Sequence, residues 1–198
     1  MQKAEDTIYG DALPDLVATM KDTVAFINGL RQGLTAMYGE DPVEHLAYRI
    51  KSDKSMREKL EKRGLPVTRE AALTQVYDAI GIRIVCAFRD DVYTLRDLIT
   101  NSDNIRVIEE KDYIKNAKPN GYRSYHMIVE TEGHYVEIQL RTISMDTWAA
   151  LEHQIRYKKD MDGQNLALIT SELKRCADEL ASTDISMQTI RNMIRKMS

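Results

Sequence analysis

The sequence predicts an α+β fold, with a β-sheet flanked by helices and one long helix towards each end of the chain. Apolar residues recur every three or four positions from Leu13 to Met37, which is the pattern of one helix face. β-Branched residues crowd the run at 78–88, as they do in buried strands. Two further runs, on either side of a turn at 131–133, are typical of a β-hairpin.

The size and composition of the chain indicate a single globular domain. Its 198 residues can form one sizeable core, and we expect one domain with helical flanks. Hydrophobic residues make up 43% and charged residues 30%, which is typical of neither a disordered nor a membrane protein. The longest apolar runs, such as 84–88, are far shorter than the roughly 20 residues of a spanning helix. The first residues contain no apolar secretory segment.

Charge and cysteine content narrow the possible ligands and location. The net charge of −3 argues against a surface built throughout for nucleic acid, so RNA binding is not indicated. An anionic ligand must therefore meet a local cluster of basic residues. Cys86 and Cys176 share no metal-ligand spacing and suggest no disulfide framework, so a reducing cytoplasm is the simplest location.

The remaining elements follow from the period of the apolar residues and from Gly and Pro breaks. Gly39 and Pro42 end the first helix, and a second helical segment is predicted to continue to about Lys62. In the run at 78–88, odd- and even-numbered positions both carry apolar residues, which predicts a central strand covered on both faces. We then predict a helix at 89–99, a strand at 104–114, a hairpin of 122–130 and 134–142, and a helix at about 144–157.

Two helices towards the C-terminus carry apolar faces. The helix at 144–157 is expected to turn Trp148, Leu151 and Ile155 inward. From Leu166 to Met197 apolar residues alternate steps of three and four, which is a heptad-like seam. Such a helix either packs on the protein's own body or forms a contact between subunits, because an isolated helix is marginally stable in water.

The hairpin places polar side chains on one side of the sheet. If its loop has an even number of residues, paired positions sum to 265, so His126 faces Gln139 and Ile128 faces Glu137. The same parity puts these polar residues on one side: Tyr122, Ser124, His126, Glu137, Gln139 and Arg141. Val136, Ile138 and Leu140 lie on the other. The polar side is either a solvated surface or a binding site.

Basic residues elsewhere favour a binding site. Lys51, Ser55 and Lys59 are spaced by four and would lie along one helix face, with Arg49 at its start. A basic helix face alone is often only solvated. Arg83, however, lies within an apolar strand, where a guanidinium needs an anion or the rim of the sheet.

Two carboxylates suggest a metal. Asp78 precedes the central strand, and taken alone it could be a cap or turn residue. Together with Glu137 it resembles a magnesium site, because Mg²⁺ is commonly held by one or two carboxylates plus substrate phosphates. Basic residues around such a pair are suited to phosphoryl-type transfer. The sequence lacks the P-loop, the dinucleotide-binding glycine motif and the nucleophile elbow, so a nucleotide site must have another design.

Four motifs occur in the chain in this order: "YRIKSDKSMREKL", "DAIGIRIV", "KDYIKNAKPNGYRSYH" and "VEIQLRTISMDTWAALEHQIRYK". Together they resemble the synthetase domain of the Rel/Spo-type alarmone synthetases, and the length suggests the small alarmone synthetase branch. The resemblance implies a nucleotidyltransferase-like mixed sheet of about five strands. It also implies one synthetase domain over residues 1–198, with a catalytic core at about 44–158 and helical flanks at 11–38 and 165–197.

The resemblance implies a reaction and a role for each site residue. Family members transfer the β,γ-pyrophosphate of ATP to the 3′-hydroxyl of GDP or GTP, with Mg²⁺, and release (p)ppGpp and AMP. By motif position, the ATP site would comprise Arg49, Lys51, Ser55, Lys59 and Arg83. The GDP or GTP site would comprise Lys118, Asn120, Tyr122, His126 and Gln139, with Tyr122 stacked on guanine. Asp78 and Glu137 would be the catalytic and metal-binding acids, and Glu152 and His153 either support the site or lie on a solvated helix face.

The resemblance leaves several alternatives open. Glu137 could ligate the metal, act as general base, or do both. Only thirty-odd residues precede the synthetase region, so the hydrolase activity of long family members is not expected. A homo-oligomer, by resemblance a tetramer, is expected through the first helix, the 166–197 helix or both. The alternative function is a catalytically silent guanosine-nucleotide or RNA-binding module on the same fold.

Overall fold

The computed structural model describes residues 7–156 and 163–197 of the chain. A short 3-10 turn, Gly10–Ala12, leads into the first helix. The helices are α1 Leu13–Tyr38, α2 Asp53–Lys62, α3 Arg69–Thr74, α4 Arg89–Thr100, α5 Ile143–Arg156 and α6 Gly163–Met197. The strands are β1 Val43–Ile50, β2 Ile80–Cys86, β3 Arg106–Asp112, β4 Tyr125–Thr131 and β5 His134–Thr142. Within these residues, no helix is long and apolar enough to cross a membrane.

The five strands form one mixed sheet in the order β1-β2-β5-β4-β3. β2 and β5 are parallel, and the other neighbouring pairs are antiparallel. The predicted α+β fold with a mixed sheet of about five strands is therefore confirmed. The parallel pair at the centre brings Asp78, just before β2, to the same end of the sheet as the first half of β5.

The hairpin has the predicted register. His126 pairs with Gln139 and Ile128 with Glu137 across β4 and β5. The connecting turn consists of Glu132 and Gly133, whose φ angles are 51° and 78°. Two successive positive φ angles are the mark of a type I′ turn, which matches the twist of the strands it joins. The even loop length on which the parity argument depended is thus confirmed.

One face of the sheet forms the hydrophobic core. Ile82 of β2 and Ile138 of β5 are at most 2% exposed there and belong to one buried cluster with Ile27 of α1 and Leu95 of α4. Each of these apolar side chains contributes about 1.5–3 kcal/mol to folding by leaving water. The other face of β2 is only partly covered, since 40% of the Arg83 side chain is exposed. The prediction that β2 is covered on both faces is wrong for this side.

The second helical segment was predicted too long. Residues 43–50 form the edge strand β1, and the helix begins only at Asp53, where the Ser52 hydroxyl accepts a hydrogen bond from the Ser55 amide. Arg49 is therefore a strand residue, opposite Gly81 of β2. Lys51 lies before the helix, and only Ser55 and Lys59 belong to it.

In two predicted helices, α4 and α5, the buried face differs from the predicted one. In α4, the period of the apolar residues predicts that Val92, Leu95 and Leu98 share the buried face; Val92 and Leu95 are buried, but Leu98 is 37% exposed and Ile99 is buried instead. In α5, Trp148 is buried, whereas Leu151 and Ile155 are 54% and 40% exposed. The sequence reading also missed α3, a single short helix.

The C-terminal helix α6 packs on the body mainly through small and polar residues, and of its apolar seam only Ile169, Leu173 and Leu180 are half-buried. Its buried side chains are Ala177, Gln188 and Arg191. Arg191 donates to both carboxylate oxygens of Asp91 at 2.8 Å, and Gln188 accepts from the Asp90 amide at 3.1 Å. Much of the predicted seam is exposed: Leu166 52%, Met187 50%, Ile190 49%, Ile194 58% and Met197 85%.

Candidate nucleotide site

A cavity lies on the partly covered face, over the first half of β2 and β5. Its lining includes six of the residues predicted from the sequence: Arg49, Lys51, Asp78, Arg83, Glu137 and Gln139. Three neighbouring strands, β1, β2 and β5, supply four of these side chains, while Lys51 directly follows β1 and Asp78 lies just before β2. Arg49, Gly81 and Glu137 form one row across β1, β2 and β5. Gly81 has no side chain, which keeps the centre of that row open.

Asp78 is the anionic centre of one end of the cavity. Its Oδ2 atom lies 3.0 Å from Lys51 Nζ and 2.6 Å from Lys59 Nζ. Its Oδ1 atom is buried and has no hydrogen-bond partner among the described residues. Such an orphaned carboxylate oxygen is costly unless something occupies it, so it fits a cation ligand.

Lys51 is held in place although it lies outside regular structure. Its amide donates to Ala79 O at 2.8 Å, and its carbonyl accepts from the buried Tyr9 hydroxyl at 2.8 Å. The sequence reading did not include Tyr9, which lies more than forty residues upstream. No signal in the sequence linked it to the site.

Glu137 is the second acid of the cavity. Gln139 Nε2 donates to its Oε2 atom at 2.8 Å, and His126 Nδ1 lies 3.6 Å from its Oε1 atom. Burial raises the pKa of Glu137, but the contacts with His126 and Gln139, together with the charge of Lys59, outweigh it and lower the pKa to about 2. The carboxylate is therefore ionised at neutral pH, as a cation ligand must be.

The two acids face one site. Both line the same cavity. Lys59 contacts Asp78 directly, and its positive charge also helps to lower the pKa of Glu137. Among the described residues, no group of three or more His, Cys, Asp or Glu side chains is arranged to hold a metal. A two-carboxylate arrangement fits Mg²⁺, which keeps several positions for water and substrate phosphates.

A second cluster, centred on Tyr122, adjoins Glu137. The Tyr122 hydroxyl lies 2.8 Å from His126 Nε2 and accepts from Arg141 Nη2 at 2.7 Å. Lys118 Nζ lies 4.9 Å from the Tyr122 ring centroid, and the Trp148 ring lies 6.3 Å away. His126 contacts both Tyr122 and Glu137, so it connects the aromatic cluster to the acids.

The turn before Tyr122 is ordered by its own polar groups. Asn120 Oδ1 accepts from the Tyr122 amide at 3.2 Å, and Asn120 Nδ2 donates to Glu152 Oε1 of α5 at 3.3 Å. The Lys118 carbonyl oxygen accepts a hydrogen bond from the Gly121 amide at 2.8 Å. Glu152 thus supports the loop, whereas His153 is exposed.

Arg141 and Asp146 connect the cavity to the aromatic cluster, and neither was among the predicted site residues. Arg141 Nη2 also donates to Gln139 Oε1 at 2.9 Å, and its Nη1 donates to Asp146 Oδ1 at 3.0 Å. Asp146 Oδ1 also lies 3.2 Å from Arg83 Nη1. Parity placed Arg141 on this face, but only the fold shows that α5 brings Asp146 between the two guanidinium groups.

Arg83 and Arg49 lie next to each other on the partly covered face of the sheet. Arg49 lies opposite Gly81, so Arg49 and Arg83 are diagonal neighbours on one face of adjacent strands. Partial burial, followed by the nearby Arg141 charge, lowers the pKa of Arg83. A stacked ring or an anion at this position would relieve that electrostatic cost. Ser55, at the start of α2, is exposed and does not line the cavity.

Carboxylates, lysines and arginines around a cavity, beside an aromatic cluster, form the kind of site that handles nucleotide phosphates with a divalent cation. Residues 48–162, more than half of the chain, match the family described as the region found in RelA / SpoT proteins. The chain belongs to this family. GTP pyrophosphokinase YwaC of Bacillus subtilis is 36% identical over 173 residues, which cover 83% of this chain and 81% of that protein.

Solved structures agree with this family membership. A GTP pyrophosphokinase family protein from Streptococcus pneumoniae superposes with a TM-score of 0.80 at 30% identity and covers 93% of both chains. Small alarmone synthetase 1 from Bacillus subtilis, bound to its product pppGpp, superposes with a TM-score of 0.78 at 27% identity. The match covers 93% of this chain and 96% of that one.

Proposed function

We propose that the protein is a GTP pyrophosphokinase that transfers the β,γ-pyrophosphate of ATP to the 3′-hydroxyl of GDP or GTP. The products are (p)ppGpp and AMP. The related pyrophosphokinase of Bacillus subtilis and the pppGpp-bound structure support this activity. The observation that carries the proposal is the convergence of Asp78 and Glu137 on one cavity lined by basic residues.

ATP would occupy the β1–β2 side of the cavity. Diagonal neighbours on paired strands lie about 7–8 Å apart, which admits one planar ring between two side chains in van der Waals contact. Arg49 and Arg83 would therefore stack on the two faces of adenine. Lys51 and Lys59, now paired with Asp78, would hold the phosphates, and Ser55 would contact them from the start of α2.

GDP or GTP would occupy the Tyr122 cluster, with guanine stacked on the Tyr122 ring. Stacking on an aromatic side chain is worth about 1–3 kcal/mol per base and does not select the base. Lys118 and Asn120 lie at the edge of this cluster, and His126 lies between it and Glu137. The acceptor 3′-hydroxyl would thus approach the phosphates from the side of His126 and Gln139.

Asp78 and Glu137 would hold Mg²⁺ together with the ATP phosphates, and the orphaned Asp78 Oδ1 supports this role. The bound cation would neutralise charge on the transferred group. The 3′-hydroxyl would lose its proton to Glu137 or to solvent as its oxygen attacks the β-phosphorus; the bond from the β-phosphorus to the α,β-bridging oxygen would break, and that oxygen would leave with AMP. A good general base titrates near the working pH. Because the pKa of Glu137 is about 2, we assign it first to metal binding.

The proposal is tested by incubating the protein with ATP, GDP and Mg²⁺ and separating the nucleotides by ion-exchange chromatography. We expect AMP and a guanosine carrying a 3′-pyrophosphate to accumulate in equal amounts. Binding of GDP without AMP release under any divalent cation would instead favour the silent binding module. Competition of GDP with ADP in one reaction would show whether the acceptor must be guanosine.

Tyr122→Ala is expected to raise the KM for GDP by about 5- to 150-fold, because it removes a stack worth about 1–3 kcal/mol. The KM for ATP should change by less than about twofold. Tyr122→Phe keeps the ring but loses the hydrogen bonds with Arg141 and His126, so its effect should be smaller. Steady-state kinetics with each substrate varied in turn will measure this. Equal effects on both KM values would contradict the assignment.

We propose a homo-oligomer, by resemblance a tetramer, with α6 as a contact helix. The support is the exposed apolar part of the seam, since α6 already packs on its own body through a different face. Exposed apolar residues on one helix commonly mark an interaction surface. We also propose a cytoplasmic location, which suits the two free thiols of Cys86 and Cys176.

Met187→Glu combined with Ile190→Glu is expected to lower the oligomer mass, because each buries a charge in the proposed contact. Light scattering should give about four times the chain mass for the native protein and a smaller multiple for the variant. Thr189→Glu, at an exposed polar position on another face of α6, should leave the mass unchanged. A monomeric native protein at micromolar concentration would rule out the oligomer.

A further inference from the structure

The loop that carries the Tyr122 cluster lies directly against α6. Gly121 has a φ of 92°, and a Cβ added there would lie 2.6 Å from Ala177 Cβ and 3.1 Å from Lys174 Cα. Real Cβ atoms do not approach that closely, so glycine allows the loop backbone to touch the helix. The residue before Tyr122 is therefore fixed by a contact with a helix more than fifty residues further along the chain.

A charged pair closes the same contact. Arg123, the residue after Tyr122, donates from Nη2 to Asp178 Oδ1 of α6 at 2.8 Å. Its Nη1 donates to Gly121 O at 3.1 Å. Only 18% of the Arg123 side chain is exposed, so this guanidinium is largely desolvated and its hydrogen bonds are stronger than those on an open surface. One arginine thus joins both ends of the Gly121–Tyr122–Arg123 segment to α6.

We propose that α6 clamps the acceptor loop, and that Arg123 and Asp178 are positioning residues for the acceptor nucleotide. This inference rests on the proposed function, because it assigns Tyr122 to the acceptor base. A loop ordered before binding spares the nucleotide the entropic cost of ordering it. The clamp therefore lowers the KM for GDP without touching GDP.

The clamp is distinct from the attachment of α6 to the body. Further along the helix, Arg191 pairs with Asp91, and Thr142 Oγ1 donates to Asp184 at 2.5 Å. These contacts do not involve the loop, so they should keep α6 docked when the Arg123–Asp178 pair is lost. Loss of the pair is then expected to loosen the loop and not the fold.

The decisive experiment is Asp178→Asn. We expect the KM for GDP, and the Kd for GDP measured by calorimetry without ATP, to rise about three- to tenfold, as a partly exposed charged hydrogen bond suggests. The KM for ATP and the melting temperature should stay near the native values. Hydrogen exchange of the peptide spanning 118–123 should become faster in the absence of nucleotide. Asp178→Glu, which keeps the charge, should restore most of the binding.

Matched controls separate the clamp from general effects on the helix. Glu179→Gln removes a neighbouring acid that pairs with Arg175 on the exposed side of α6. Lys174→Gln removes the other partner of Asp178 and leaves the bond with Arg123. Neither should change GDP binding. Ala177→Val should weaken GDP binding by pushing on Gly121, whereas Cys176→Val, at an exposed neighbouring position, should not.

The outcomes distinguish the clamp from the proposed function. If the native protein binds GDP and Asp178→Asn binds it equally well, with unchanged exchange of 118–123, the clamp is overturned and the proposed function stands. If the native protein binds GDP but releases no AMP from ATP, the proposed activity fails, while weaker GDP binding by Asp178→Asn still supports the clamp. An equal rise of the KM values for GDP and ATP in Asp178→Asn would show general destabilisation and would overturn the clamp.

Discussion

Glu137→Gln is expected to lower the turnover of ATP and GDP by at least about a thousandfold, within the range for losing a catalytic acid or base or a charge-stabilising group. Gln keeps the shape of Glu and can still accept a hydrogen bond from Gln139, so the fold should remain. It lacks the negative charge that a cation ligand or a base requires. AMP release measured by chromatography, with a thermal melt beside it, will test this.

The matched control for this variant is Glu109→Gln. Glu109 is a strand residue outside the cavity, and its carboxylate pairs with Lys111 at 2.8 Å on an exposed surface. The turnover of Glu109→Gln should stay within about twofold of the native value, because exposed ion pairs contribute little to stability. Near-native turnover of Glu137→Gln itself would show that the residue is neither ligand nor base.

Asp78→Asn is expected to lower turnover by at least about a hundredfold at ordinary Mg²⁺ concentrations, because it removes one of two proposed ligand charges and leaves Lys51 and Lys59 unpaired. Since the remaining acid should still bind the cation weakly, more Mg²⁺ should recover part of the activity. Turnover measured across a Mg²⁺ titration will show the shift.

The control is Asp97→Asn, which removes an acid that is 61% exposed and lies beside Arg96 on α4. Its Mg²⁺ dependence should match that of the native protein. If Asp78→Asn lost activity but kept the native Mg²⁺ dependence, Asp78 would have a role other than cation binding. It would then serve to hold the two lysines.

The hairpin shows what the sequence could predict well. A two-residue turn fixes the register, and the side-chain period of two then decides which residues share a face. From these rules alone, His126, Gln139 and Glu137 were placed together, and the structure has the same pairs. Local geometry was sufficient because β4 and β5 are consecutive and antiparallel.

The edge strand β1 shows where the sequence misled. Val43, Leu46 and Ile50 are spaced by three and four, which imitates a helix. In the structure only Val43 of this strand is buried, because one face is covered incompletely and the other lines the cavity. An edge strand with a functional face lacks the alternation that would identify it. Its pairing with β2, about forty residues away, decides the outcome.

Two contacts between distant segments, Asp146 with Arg83 and Asp178 with Arg123, could not be predicted. Asp146 reaches Arg83 and Arg141 only because α5 begins directly after β5 and runs over the partly covered face. Asp178 reaches Arg123 only because α6 returns across the loop. Asp178 belongs to none of the four motifs, and although Asp146 shares a motif with Arg141, no spacing along the chain indicates its contact with Arg83. Such contacts depend on helix packing, which a single sequence does not specify.

The central claim is that Asp78 and Glu137 bind one divalent cation between them. The most direct measurement is a crystal structure with a non-hydrolysable ATP analogue and Mn²⁺, whose anomalous signal locates the metal. We predict one ion contacted by carboxylate oxygens of both residues and by analogue phosphates. An ion bound by neither carboxylate, or the two carboxylates pointing into separate regions once the analogue is bound, would contradict the account.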